Sequence, residues 1–156
     1  MRRAKKIKRE IKPDPVHGSV LISKFTNTLM IGGKKSTAYK VLLDALEEIK
    51  KSKKGENPVS ILETAVSNVS PALEIRPRRV GGATYQVPRE ISQKRRLSLA
   101  LRWLTYASRA KKGKPMANRL AEEILLANKN EGAAIKKKLD THRMAEANKA
   151  FAHFAW

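Results

Sequence analysis

The residues in this sequence whose types and spacing point to chemistry are its arginines and lysines, and that chemistry is recognition of phosphate. Arg95, Arg102 and Arg109 recur at intervals of seven. In a helix that spacing drifts by only about 20° per step, so the three stack on one face. Leu97, Ala100, Leu104 and Ala107 fall near the opposite side, Leu99 and Tyr106 flank the arginine row, and Trp103 lies further round toward a core. A row of cations is commonly no more than a solvated face. Arginine at all three positions favours phosphate contact, because the planar guanidinium binds oxyanions through two parallel hydrogen bonds.

A second constellation lies in residues 73–91, where the period changes from helical to alternating. Gly81-Gly82 sits between two extended stretches and predicts a β-hairpin with a two-residue turn. In that register Val80 pairs with Ala83, Arg78 with Tyr85 and Arg76 with Val87, all hydrogen-bonded. Pro77 and Pro88 then occupy non-hydrogen-bonded positions, where the missing N–H costs nothing. Neither face carries enough apolar residues to be buried along its whole length, and a lone two-stranded ribbon is marginal in water. With Arg76, Arg78, Arg79 and Arg89 close together, the hairpin reads as a projecting arm for nucleic acid rather than an ordinary edge ribbon. Tyr85 either stacks on a base or covers an arginine stem.

Further cations lie in segments of other kinds. Residues 1–12 hold seven bases, including Arg2, Arg3, Lys5, Lys6 and Lys8, against the single acid Glu10, and predict a flexible basic arm. Lys34 and Lys35 stand at the start of a predicted helix, whose N-terminus already attracts anions. Lys111, Lys112 and Lys114 share a loop that suits the same purpose. Lys136, Lys137 and Lys138 wrap around a helix, so at least one of them is plain solvated surface.

Catalysis finds little support. His17, His142 and His153 share no metal-ligand spacing, and no pair of acids stands out as acid and base. Gly33-Lys34-Lys35-Ser36 has the look of a phosphate-binding loop, but Thr28 stands where the first glycine belongs and Lys35 where Ser or Thr is required. No catalytic residue, metal ligand or cofactor is expected.

The elements that must position these residues are mostly helices. The 156 residues include 34 Lys+Arg against 14 Asp+Glu, a formal charge of +20, and 41% are hydrophobic, which suffices for one domain with a core. The absence of cysteine excludes a disulfide scaffold and a thiolate site. No signal-type or membrane-spanning stretch is evident, so the expectation is a soluble cytoplasmic protein. The surplus charge calls for a polyanion. A membrane surface is the weaker choice, since such binders line one amphipathic helix with lysine. Periodicity predicts a helix with Leu21, Ile22, Phe25 and Leu29 on one face, and a second over residues 35–51 with a Glu47–Lys51 pair. A third opens at Asn57-Pro58 and ends at Pro71. A fourth is capped by Ser92, a fifth carries Leu120 and Ile124, and a sixth begins near Ala133 with Ile135, Leu139, Met144 and Ala147 as anchors. The aromatic end, residues 151–156, is expected to dock on some other surface. The fold class is mainly α: a six-helix, bundle-like single domain over residues 1–156. Its parts are a basic arm (1–17), three helices (18–72), the hairpin (73–91), three more helices (92–150) and a tail (151–156).

Three stretches are distinctive as motifs: LISKFTNTLMIGGKKSTAYKVLLDAL at 21–46, NPVSILETAVSNVSPALEIRPRRVGGATYQVPREI at 57–91, and RRLSLALRWL at 95–104. Through them nearly the whole chain resembles the universal small-subunit ribosomal protein seven family in its bacterial form. The resemblance implies six helices with a ribbon between the third and fourth. It implies direct binding to the 3′ major domain of small-subunit ribosomal RNA, nucleation of head assembly, and a place near the exit site, beside departing transfer RNA and messenger RNA. Carried over by position, the ribosomal RNA surface includes Arg2, Arg3, Lys5, Lys6, Lys8, Lys34, Lys35, Arg76, Arg78, Arg95, Arg96 and Lys114. The helix-face arginines Arg102 and Arg109 join them from their spacing. The exit-site edge comprises Arg79, Val80, Gly81, Gly82, Ala83, Thr84 and Tyr85 with Arg143 and Met144. Implied neighbours are small-subunit proteins nine and eleven, and the chain is expected to be monomeric outside the ribosome. The alternative is a DNA-architectural protein with an arginine-rich β-arm.

Overall fold

The computed structural model describes residues 10–53 and 55–154. Arg2, Arg3, Lys5, Lys6 and Lys8 of the basic arm lie outside the described residues, as does the end of the tail, residues 155–156. Helices α1 (Val20–Leu29), α2 (Lys35–Ser52) and α3 (Pro58–Val69) precede strands β1 (Leu73–Val80) and β2 (Ala83–Glu90). Helices α4 (Gln93–Ala110), α5 (Met116–Asn128) and α6 (Ala133–Ala147) follow, and a 3₁₀ segment, Lys149–Phe154, closes the described chain.

Local signals explain most boundaries. The Asp14 carboxylate accepts from the backbone N–H groups of Val16 and His17, so the Pro-Asp-Pro run does turn the chain before α1. Asn57 caps α3 by accepting from the Val59 N–H at 3.0 Å, with Pro58 in the first turn. Ser92 holds the N-cap position of α4, yet its side chain makes no capping hydrogen bond.

The core is aliphatic. Ile22 and Phe25 of α1, Leu42 and Ile49 of α2, Leu62 of α3, Leu101 and Leu104 of α4, and Leu120 and Ile124 of α5 are fully buried. Helix α5 packs against α2, α3 and α4, so it is the axis around which the others assemble.

Two expected details fail. Lys51 pairs with Glu48 at 2.7 Å, one turn back by three residues, and not with Glu47. On α6, Leu139, Met144 and Ala147 are exposed, whereas Ala134, Ile135 and Ala145 face the body. The reason is that the inward face of α6 is partly polar. The Lys138 ammonium donates to the Asn68 carbonyl at 2.6 Å, and the His142 ring accepts from the Ala72 N–H at 3.1 Å.

The ribbon has the register derived from its prolines: Val80 opposite Ala83, Arg78 opposite Tyr85, Arg76 opposite Val87, Pro77 opposite Gln86 and Ile75 opposite Pro88. Gly81 and Gly82 have φ of +57° and +89°, the left-handed pair that a twist-matching two-residue turn requires. The ribbon does not stand alone, however. Its base leans on α6, and β2 packs against the 3₁₀ segment.

Candidate nucleic-acid interface

Strand β1 and the start of α4 meet at Glu74. The carboxylate is 12% exposed and accepts from Arg76 Nε at 2.5 Å through one oxygen and from Arg95 Nε at 3.0 Å through the other. Burial alone would raise the Glu74 pKa, but the two guanidiniums outweigh it and hold the carboxyl below its usual range. Both arginines are committed only through Nε. Their terminal nitrogens remain available to oxyanions, and both side chains are about half exposed. Arg89 joins them around the same cleft. Sequence reading selected Arg76 and Arg95 but missed Glu74, because a glutamate inside a basic run looks like simple charge relief.

The arginine row on α4 divides by role. Arg102 is exposed and makes no ion pair among the described residues. Arg109 is half-buried, and its guanidinium donates to the Leu29 carbonyl at 2.9 Å, closing the end of α1. The three side chains share a face, as their spacing requires, but α1 covers one end of it. Arg96 is half-buried.

Basic loops are similarly split. Lys111 forms an ion pair at 2.8 Å with the fully buried Glu123, so it serves the interior rather than a phosphate. Lys114 is exposed and pairs with Glu122, whose carboxyl is held below its ordinary pKa chiefly by that hydrogen bond. Lys34 and Lys35 are exposed at the opening of α2 and make no ion pair among the described residues. Between α1 and α4 runs an open groove of about 720 Å³, lined by Lys24, Asn27, Thr28, Lys94 and Ser98, with Glu10 and Ile11 at its mouth. Lys24 stands alone among uncharged neighbours in the sequence and Lys94 directly precedes Arg95 and Arg96, so only the packing of α1 beside α4 places the two on one groove.

At the far end of the ribbon, Arg79, Gly81, Gly82, Ala83 and Thr84 are exposed and Val80 and Arg78 half-buried. Tyr85 is half-buried, its ring 5.1 Å from Phe151 and 5.3 Å from Phe154 in tilted packing, so part of its surface is spent on the tail. Arg143 and Met144 are exposed on the outer side of α6. The described part of the tail, residues 151–154, thus docks on the ribbon.

Among the described residues no three His, Asp or Glu side chains stand close enough to hold a metal ion, and no helix is long and apolar enough to cross a membrane. The surface presents exposed cations on α2, α4 and the ribbon.

Residues 1–149 match the family model described as Ribosomal protein S7p/S5e. The chain belongs to that family. A Thermotoga maritima protein, Small ribosomal subunit protein uS7, is 57% identical over 156 residues, covering all of both chains. The protein of the same name from Dictyoglomus thermophilum is 59% identical over 148 residues, 95% of this chain and 94% of the relative. That from Thermotoga neapolitana is 56% identical across the full length of both. The helices-and-ribbon architecture that the family resemblance implied is the one observed, and nothing in these relatives supports the DNA-architectural alternative.

Proposed function

We propose that this chain is a structural constituent of the small ribosomal subunit in the cytoplasm, binding its ribosomal RNA directly in the 3′ major domain and nucleating assembly of the head. Full-length membership of the S7p/S5e family carries the proposal. The distribution of cations supports it: Lys34, Lys35, Arg102 and the Glu74-held pair Arg76 and Arg95 all open to solvent. Arg78, Arg96, Lys114 and, from the basic arm, Arg2, Arg3, Lys5, Lys6 and Lys8 belong to the same RNA surface. Arg109 contributes by holding α1 against α4.

The role is binding without turnover. Phosphate contacts from the helices set the register on the RNA, and the ribbon reaches beyond them. Its tip, Arg79 to Tyr85, with Arg143 and Met144 forms the edge toward exit-site transfer RNA and messenger RNA. Small-subunit proteins nine and eleven are its neighbours in the head, and free in solution the chain is a monomer. A chemical footprint of the protein alone on intact small-subunit ribosomal RNA tests this. Protection concentrated in the 3′ major domain is expected. Protection elsewhere, or none, overturns it.

A further inference from the structure

Between α4 and the start of α6 lies a groove of about 440 Å³ lined by Leu99, Arg102, Trp103, Tyr106, Ala107, Ala133 and Lys137. Residues 99, 103 and 106 form one ridge of α4, and residues 133 and 137 a facing ridge of α6. Leu99 and Ala107 are buried at its floor, and Trp103 is half-buried along its wall. Tyr106 is 59% exposed and makes no hydrogen bond among the described residues. Arg102 and Lys137 flank the ring, exposed and without ion pairs among the described residues. No acid lines the groove, and α4 contains no Asp or Glu in its 18 residues.

We propose that this groove is a stacking pocket for one unpaired base of an RNA strand, with Tyr106 and Trp103 as the platform and Arg102 and Lys137 holding the flanking phosphates. The proposal rests on the RNA-binding reading above and adds a site to it. Aromatic faces interleaved with cations are the pattern by which proteins hold single-stranded nucleic acid. Tyrosine, tryptophan and arginine suit protein interfaces as well, but no carboxylate lines this groove to receive a partner's cation, and its two exposed cations favour a polyanion. The groove also continues the exposed row that runs from Arg95 to Arg102. The ribbon's own tyrosine packs on Phe151 and Phe154, whereas Tyr106 is exposed and meets no aromatic ring among the described residues.

The test compares full-length wild type with Tyr106→Leu, Tyr106→Phe and Arg102→Gln for binding to a 3′ major domain ribosomal RNA fragment across a salt series. Tyr106→Leu is expected to bind roughly tenfold more weakly, as loss of one base stack implies, with an unchanged salt slope because no phosphate contact is lost. Tyr106→Phe should bind like wild type. Arg102→Gln should weaken binding and reduce the slope by about 0.7 to 0.9. In a Trp156→Phe background, RNA should quench the fluorescence of Trp103, a readout that needs no variant at the groove. Equal affinity of Tyr106→Leu and wild type, or no quenching, overturns the stacking pocket while leaving the RNA-binding reading intact. A Tyr106→Leu chain that binds naked RNA normally yet fails to enter reconstituted subunits overturns it in favour of a protein partner. Failure of wild type to bind the fragment removes both readings.

Discussion

Glu74 places a negative charge beside Arg76, Arg89 and Arg95, where simple Coulomb reasoning makes it an obstacle to RNA. Its geometry argues the opposite. By accepting from the Nε groups of Arg76 and Arg95, it fixes two long side chains with their terminal nitrogens outward. Ordering such side chains only on binding costs about 0.5–1.5 kcal/mol each. Glu74→Ala is therefore expected to weaken RNA binding roughly tenfold although it raises the net charge, as measured by filter binding at moderate salt. Tighter binding would show that charge alone matters. At Gly132, φ is +97° and an added Cβ would sit 2.9 Å from Glu123 Oε1, the oxygen that accepts from the Ala134 N–H at 3.0 Å and caps α6. Gly132→Ala should cost about 2 kcal/mol or more in denaturant unfolding, from backbone strain plus a disturbed cap.

Among the elements, the ribbon is best described as braced at its base and along one face. Phe151 and Phe154 are only half-buried, so the brace is shallow. The double variant Phe151→Ala, Phe154→Ala should raise amide exchange in β2 while α2 and α5 keep their protection, because the described part of the tail packs mainly on β2. Uniform loss of protection would refute that independence. The α6 side of the brace has a pH limit. Burial, with the Lys138 charge nearby, pulls the His142 pKa below its ordinary value, and the ring must be neutral at Nε2 to accept from Ala72. A depressed histidine contributes stability that is complete above its unfolded pKa and is lost as pH falls through the folded one. Exchange at the Ala72 amide should therefore quicken as pH drops below about 6.5, beyond the intrinsic pH trend. His142→Gln should remove that added dependence.

At the scale of the whole molecule, more than half of the formal charge of +20 lies in the arm, the ribbon and α4 rather than along one amphipathic helix. Binding that neutralises several phosphates should lose affinity steeply with salt, by about 0.7–0.9 in log–log slope per phosphate. A nearly flat salt series would dismiss the electrostatic surface.

The sequence alone determined the six helices, the two-residue turn and the ribbon's register. Each follows from local constraints: apolar spacing, an Asn-Pro helix start, and two prolines that favour the two-residue register. It also named most of the cations. Tertiary structure decided which of them are available. Arg95, Arg102 and Arg109 are equivalent by spacing, yet Glu74 orients the first, solvent surrounds the second and the Leu29 carbonyl holds the third. Lys111 is drawn inward by Glu123, twelve positions away, and Tyr85 is partly covered by rings from the far end of the chain. A cation's role depends on what reaches it across the fold, and periodicity within one element carries no information about that.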